Sequence, residues 1–241
     1  MSEDLKPEQF KLQDRLKKEA GRAAVDFIES SMVLGLGTGS TARYALEEIG
    51  RRIKSGKLKD IVGIPSSIQT EKIAGELGIT LTTFDEFQEL DLTIDGADEV
   101  DPELNLIKGG GGALLREKIL AQASRRNIMI VDESKLSPRL GTHWPVPIEV
   151  IPFAWKPVAK FLFSLGGKAT LRMKDDGNPY TTDQDNFILD TKFGPIPDLE
   201  GLASNLSKKA GIVEYGLFLG TASEVIVAGE NGIRFLRRND Q

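Results

Sequence analysis

Apolar positions recur along this chain in two rhythms, and the changes between them lay out its elements. Leu12, Leu16, Ala20, Ala23, Ala24 and Phe27 fall at helical spacing, which predicts a helix over 12–29. The apolar run 32–36 reads as a strand, a glycine-rich turn follows, and 41–54 read as a helix. The pattern then repeats: a strand at 61–64, a turn at Pro65-Ser66-Ser67 with a good N-cap, and a helix at 69–77. Short strands are expected at 80–83 and 92–94, a helix at 113–125 after four glycines, and a strand at 128–131. Strands alternating with helices imply a mostly parallel sheet with helices on both faces.

Beyond Gly141 the rhythm changes. A strand at 146–151 and a helix at 154–165 precede two strands, 169–173 and 187–190, set around the turn Asp175-Asp176-Gly177-Asn178. A helix at 198–209 and a strand at 212–215 complete a strand-helix-strand-strand-helix-strand order, the split β-α-β arrangement. Strands at 224–228 and 233–236 then return to the first region. The expected fold class is α/β. A Rossmann-like domain would span 1–140 and 217–241, and a smaller ferredoxin-like α+β domain 141–216, serving oligomerisation and as active-site cover.

Composition narrows the chemistry. A length of 241 residues is enough for a sizeable core, and 31 basic against 36 acidic residues give a net charge of −5. That balance argues against a nucleic-acid backbone binder, which needs a basic face. No cysteine is present, so neither a disulfide nor a thiolate nucleophile is available. The one histidine, His143, lies in a short connection and reads as structural or surface. Proton transfer would therefore fall to carboxylates and lysines. No stretch approaches the roughly 20 apolar residues of a membrane span, and the charged N-terminus does not read as a secretory signal.

Three segments carry candidate chemistry. Gly35–Thr41 joins a strand to a helix. Its glycines allow close approach, the helix start favours an anion, and Thr38, Ser40 and Thr41 add hydroxyls. A dinucleotide fingerprint would need glycine where Ser40 stands and an acid at the end of the next strand, where Gly63-Ile64-Pro65-Ser66 offers none. No Gly-Lys-Ser/Thr P-loop is present, and a glycine turn for packing only remains the plain alternative. The acidic turn Asp95–Asp101 places Asp95 at the carboxyl end of a strand with Asp98 three residues on. It reads as an acid–base pair, as a solvated turn, or as oxygen ligands for Mg²⁺ or Ca²⁺ with an incomplete set. The run Lys108–Gly112 supplies a cation beside a loop able to approach a substrate. Glu117 follows on a stripe of Ala113, Leu114, Leu120 and Ala121, where desolvation would raise its pKa toward that of a general base.

Together and in order, GLGTGST at 35–41, DGADEVD at 95–101, KGGGGALLREKI at 108–119 and VDESK at 131–135 resemble ribose-5-phosphate isomerase of the A type. IPSSIQTEKIA at 64–74, VPIEVIP at 146–152 and VEYGLF at 213–218 add to the likeness, which runs from about residue 18 over nearly the whole chain; the residues before it look like an extension. The resemblance implies interconversion of ribose 5-phosphate and ribulose 5-phosphate through an enediolate. It implies no metal and no organic cofactor, a cytoplasmic location, and a homodimer or homotetramer without nucleic-acid or membrane partners. It makes Glu117 the base, with Asp95, Asp98 and Lys108 assisting ring opening and charge stabilisation. Thr38, Gly39, Ser40, Thr41, Gly96, Ala97, Gly109, Gly110 and Gly111 would line the substrate site, and Lys135 would complete the basic contacts. An acyl-CoA transferase of similar architecture, using an exposed glutamate nucleophile, and a non-catalytic sugar-phosphate sensor are the competing readings.

Overall fold

The computed structural model describes residues 7–238; the first six residues of the charged N-terminal segment, which does not read as a secretory signal, lie outside the described residues. In chain order the elements begin with α1 (Pro7–Val25), β1 (Val33–Leu36), α2 (Ser40–Lys54), β2 (Val62–Pro65), α3 (Ile68–Glu76), β3 (Thr80–Leu81) and β4 (Leu92–Gly96). They continue with β5 (Glu99–Val100), β6 (Leu106–Ile107), α4 (Leu114–Ala123), β7 (Asn127–Asp132), β8 (Val146–Val150), α5 (Trp155–Ser164) and β9 (Lys168–Leu171). β10 (Phe187–Lys192), α6 (Leu199–Ser207), β11 (Ile212–Tyr215), β12 (Leu217–Phe218), β13 (Glu224–Gly229) and β14 (Gly232–Arg237) follow. These elements form two compact units. One takes in the described residues up to Gly96, Ala123–Lys135 and the described residues from Ser223; the other takes in Ala97–Gln122 and Leu136–Ala222.

The first unit is built on a seven-stranded sheet of order β14-β13-β7-β4-β1-β2-β3. Every pairing is parallel except the β13–β14 hairpin. Strands buried on both faces read as near-continuous apolar runs, as Ile128–Val131 and Val225–Ala228 do. Leu16, Ala20 and Ala24 of α1 and Ala45, Leu46 and Ile49 of α2 pack into the same core as Leu34, Ile94 and Ile130. From β1 the chain runs outward to β2 and β3, then returns to the other flank of β1 as β4. This reversal of strand order is a topological switch point, and crevices at the carboxyl ends of such strands are where open α/β sheets bind ligands. The expected helix over 12–29 stops at Val25, because Asp26, Phe27 and Ile28 donate to carbonyls three residues back and tighten into a turn. Apolar spacing alone does not register that change.

The second unit contains a fully antiparallel sheet of order β11-β8-β10-β9, with α5 and α6 packed on it through Val158, Leu162, Ala203 and Leu206. This is the split β-α-β order expected from the sequence. The Asp175–Asn178 turn does not join β9 to β10 directly. It closes a bridge between Met173 and Pro179, and a second turn at 182–186 closes another between Thr181 and Phe187. A small sheet of order β12-β6-β5 was not foreseen, since its two-residue strands are too short for any periodicity to register. β6 pairs with β12, and the Lys108 N–H donates to the Gly216 carbonyl at 2.9 Å. Residues 97–122, 136–140 and 217–222, assigned to the first domain on sequence pattern, thus sit in the second unit.

Candidate functional site

In the first unit, Gly35–Thr41 leaves β1 and starts α2. Gly39 adopts φ +107°, and its side-chain-free N-cap gives the helix no internal cap. The first intrahelical bond runs from the Arg43 N–H to the Gly39 carbonyl, so the N–H groups of Ser40, Thr41 and Ala42 have no acceptor within the helix. Three such donors at the positive end of a helix dipole form an anion cradle. The loop is held against β4. Asp95, 2% exposed, accepts from the Thr38 N–H at 3.1 Å and the Gly96 N–H at 2.7 Å. A Cβ on Gly37 would come within 2.4 Å of the Asp95 carboxylate, so glycine is what permits this approach.

The Thr38 hydroxyl does not point out as a ligand donor. It donates to Ser67 Oγ at 2.8 Å; Ser67 donates to Thr70 Oγ1 at 3.0 Å, and Thr70 to the Gly37 carbonyl at 3.0 Å. Each hydroxyl has one proton, so the relay spends all three and leaves Ser66 to donate to Thr38 at 2.7 Å. The strings at 35–41 and 64–74 are thereby one hydroxyl cluster that braces the cradle.

A cleft of about 640 Å³ opens on this loop, lined by Gln13, Asp14 and Lys17 of α1, Ser40 and Arg43 of α2, and Gln69 of α3. Lys17 places a cation on the cleft that also takes in Gly39 and Ser40. On the sequence the residues before about 18 look like an extension; in the fold Gln13, Asp14 and Lys17 line the cleft. The signal was present, since Leu12 and Leu16 continue the helical stripe. Tyr44, also on the wall, hydrogen-bonds Asp14, and this bond above all lifts its phenol to about 12. Lys135 is half-buried after β7, in a short turn that Asp132 caps by accepting from the Ser134 N–H at 3.0 Å. β7, β4 and β1 are adjacent, so Lys135, Asp95 and the cradle all follow the carboxyl ends of neighbouring strands.

The acidic turn resolves into separate tasks. Asp95 belongs to the first unit. In the second, Asp98 accepts from the Gly110 N–H at 2.7 Å. Asp101 closes its own turn, accepting from the N–H groups of Glu103 and Asn105 at 2.9 and 2.8 Å. Glu99 is fully buried and takes four consecutive backbone donors: Gly141 and Trp144 on one oxygen, Thr142 and His143 on the other, at 3.0–3.2 Å. His143 contributes through its backbone, with its side chain exposed. Among the described residues no group of three or more His, Cys, Asp or Glu is placed to hold a metal. Glu99→Gln leaves two of the four donors facing an amide that cannot accept from them. Urea unfolding should show a loss of about 2–4 kcal/mol at unchanged m-value; an unchanged midpoint would mean that the loop is anchored elsewhere.

The lysine-glycine run is held from several directions within the second unit. Gly109 and Gly112 have φ of +97° and +84°, and a Cβ on Gly110 would sit 2.6 Å from Asp98. Tyr180 donates to the Gly111 carbonyl at 3.4 Å, and burial raises its phenol against the opposing pull of Arg172. Lys108 and Glu117 are 3% and 4% exposed, with Lys108 Nζ 3.3 Å from Glu117 Oε2. Glu117 thus occupies the desolvated setting expected of it, with an addition: an ammonium that supports the carboxylate form that burial disfavours. Lys118 points elsewhere, as expected, but into the protein. It pairs with Glu214 at 2.6 Å and lies over the Tyr215 and Phe218 rings, and burial lowers its pKa despite Glu214. The first unit therefore gathers Thr38, Gly39, Ser40, Thr41, Asp95, Gly96 and Lys135; the second gathers Ala97, Asp98, Lys108, Gly109, Gly110, Gly111 and Glu117.

Comparison with known proteins gives these groups a context. Residues 62–232 match the family model of ribose 5-phosphate isomerase A (phosphoriboisomerase A). A ribose-5-phosphate isomerase A from Desulfatibacillum aliphaticivorans is 58% identical over 93% of this chain and 98% of its own length. A solved D-ribose-5-phosphate isomerase in complex with phospho-erythronic acid superposes with TM-score 0.92 at 44% identity, over 93% of this chain and 99% of that one. The ribose 5-phosphate isomerase of Plasmodium falciparum gives 0.91 at 42% identity, over 94% and 100%.

Proposed function

This chain belongs to the ribose 5-phosphate isomerase A family, and from that premise we propose how its residues divide the work. The reaction is an aldose–ketose isomerisation that interconverts D-ribose 5-phosphate and D-ribulose 5-phosphate. Its net change is one hydrogen moved from C2 to C1 and one hydroxyl proton moved from O2 to O1. It needs an anchor for the phosphate, a way to open the sugar ring, one base, and an electrophile for the enediolate.

The phosphate is assigned to the N–H groups and hydroxyls of Gly39, Ser40 and Thr41, with Thr38 bracing the loop and the ammonium of Lys17 adding charge. Lys135 supplies a further basic contact. Asp95 and Asp98 are assigned to ring opening, and Gly96 and Ala97 to substrate contact. Glu117 takes the C2 proton of the open aldose and returns it to C1. Lys108, with the backbone of Gly109–Gly111, carries the negative charge that develops on O1 and O2. Phospho-erythronic acid, bound in a related structure, suits this assignment: its carboxylate carries two oxygens much as a cis-enediolate does. The buried Lys108–Glu117 pair is the observation that carries the reading, because it sets a base beside an electrophile out of water.

A transferase using glutamate as an exposed nucleophile is not favoured, since Glu117 is 4% exposed. A sensor would have no use for the pair. We place the enzyme in the cytoplasm as a homodimer or homotetramer, without nucleic-acid or membrane partners. No helix among the described residues is long and apolar enough to cross a membrane. Since Lys108 provides the electrophile, purified protein should convert ribose 5-phosphate to ribulose 5-phosphate in excess EDTA at the rate seen without it. Folded protein that turns over neither pentose phosphate, or does so only after a divalent metal is restored, would overturn the assignment.

A further inference from the structure

Arg172 lies just beyond β9, half-buried, and all of its guanidinium edges are used. Nε and Nη2 form a bidentate pair with Asp190 of β10, at 2.8 and 2.6 Å. The remaining nitrogen, Nη1, donates to two successive carbonyls of the glycine run, Gly109 at 3.2 Å and Gly110 at 3.0 Å. The Gly109–Gly110 peptide is thus gripped on both edges, by Arg172 at its oxygen and by Asp98 at its N–H. The next peptide is trans, so with the Gly110 carbonyl turned to Arg172 the Gly111 N–H points away from it. A run of glycines has many accessible backbone conformations, and these contacts select one.

We propose that Arg172, oriented by Asp190, is a positioning residue for proton transfer: it fixes the peptide planes of the glycine run so that the Gly111 N–H, the one turned away from Arg172, stabilises the enediolate oxygens. This rests on the isomerase reading and adds to it a residue that touches no reacting atom. A pair serving stability alone would need only the two strands, Arg172 against Asp190. The third nitrogen, spent on two loop carbonyls, ties the pair to the loop that follows Lys108. The effect should fall on the transition state rather than on substrate binding, because the oxygens gain charge only as the proton leaves C2.

The experiment is steady-state kinetics on Arg172→Met, Arg172→Ala, Arg172→Lys and Asp190→Asn, after the wild-type enzyme has been shown to turn over ribose 5-phosphate. An inactive wild type would fail the isomerase reading before this one is reached. Arg172→Met should lower kcat about 10- to 100-fold with KM within about threefold, the scale of a small misplacement of reacting groups. Arg172→Lys should recover little, since an ammonium cannot hold the Asp190 fork and two carbonyls at once. Guanidinium ion added to Arg172→Ala should restore kcat in a saturable way, which a purely structural pair would not do. If the Arg172 variants do not fold, Asp190→Asn carries the test, with kcat reduced about three- to tenfold at native melting temperature. A kcat within twofold of wild type in whichever folded variant is assayed, or a loss confined to KM, would overturn the proposal.

Discussion

Glu117→Gln should lower kcat on the order of 10²–10⁴-fold, the contribution expected of a positioned general base, while KM stays close to wild type. The amide has the shape of the carboxyl and keeps one oxygen for Lys108, but it cannot accept a proton from carbon. The loss corresponds to about 3–5 kcal/mol of barrier and should appear equally in kcat and kcat/KM, the pattern of an interaction made only in the transition state. A second readout isolates the step. In D₂O the wild-type enzyme should exchange the transferred hydrogen with solvent, and the variant should lose exchange in parallel with turnover. The substitution also removes the countercharge of a lysine that is 3% exposed. A buried ammonium left beside a neutral amide destabilises the fold, though by less than the roughly 3–5 kcal/mol of a fully broken buried pair. Adding Lys108→Met to Glu117→Gln should therefore raise the melting temperature above that of Glu117→Gln alone. A single variant that keeps most of its activity would place the base elsewhere.

That buried pair also shows where sequence reasoning reached and where it stopped. Glu117 was legible because its neighbours at three and four residues are Ala113, Leu114, Leu120 and Ala121, which put it on the inward stripe of a helix. Lys108 was legible as a cation beside glycines. Their 3.3 Å contact was not, because it depends on how the loop folds back on α4. The acidic turn was legible as a cluster and not as a division of labour. Nothing in Asp95–Asp101 says that Glu99 serves four backbone donors from 141–144, which are remote in sequence. Arg172 left no trace, since its partners are main-chain carbonyls and Asp190. The parallel sheet and the split β-α-β order followed from periodicity over long segments; β5, β6 and β12 had too few residues to show any. The hydroxyl cluster at Thr38 belongs to the same class. Each member is an ordinary turn residue, and only the fold makes their hydroxyls converge.

Lys108→Met should cost two separable amounts. The first is charge stabilisation: an electrophile preorganised at developing oxygen charge is worth on the order of 10²–10³ in kcat. Methionine fills much of the lysine stem's volume in a site 3% exposed and keeps an apolar contact toward Phe218, whose ring centroid lies 5.6 Å from Nζ. The Lys108 N–H bond to Gly216 is backbone and survives. The second amount acts through Glu117. With the ammonium gone, burial is left to favour the neutral carboxyl, and a base must be ionised to act. The sign is fixed: the neutral form persists to higher pH, so the rising limb of kcat against pH should move upward from its wild-type position. Raising the pH should therefore recover the part of the loss that comes from Glu117 ionisation and leave the part that comes from the missing electrophile. Full recovery at high pH would mean that Lys108 acts only by holding the charge of Glu117, whereas a pH-independent loss would mean that the two residues work separately despite their contact. Lys108→Arg keeps the charge but replaces a compact ammonium by a planar fork with no room prepared for it. It should retain the wild-type pH profile at reduced kcat, which separates the charge of Lys108 from its placement.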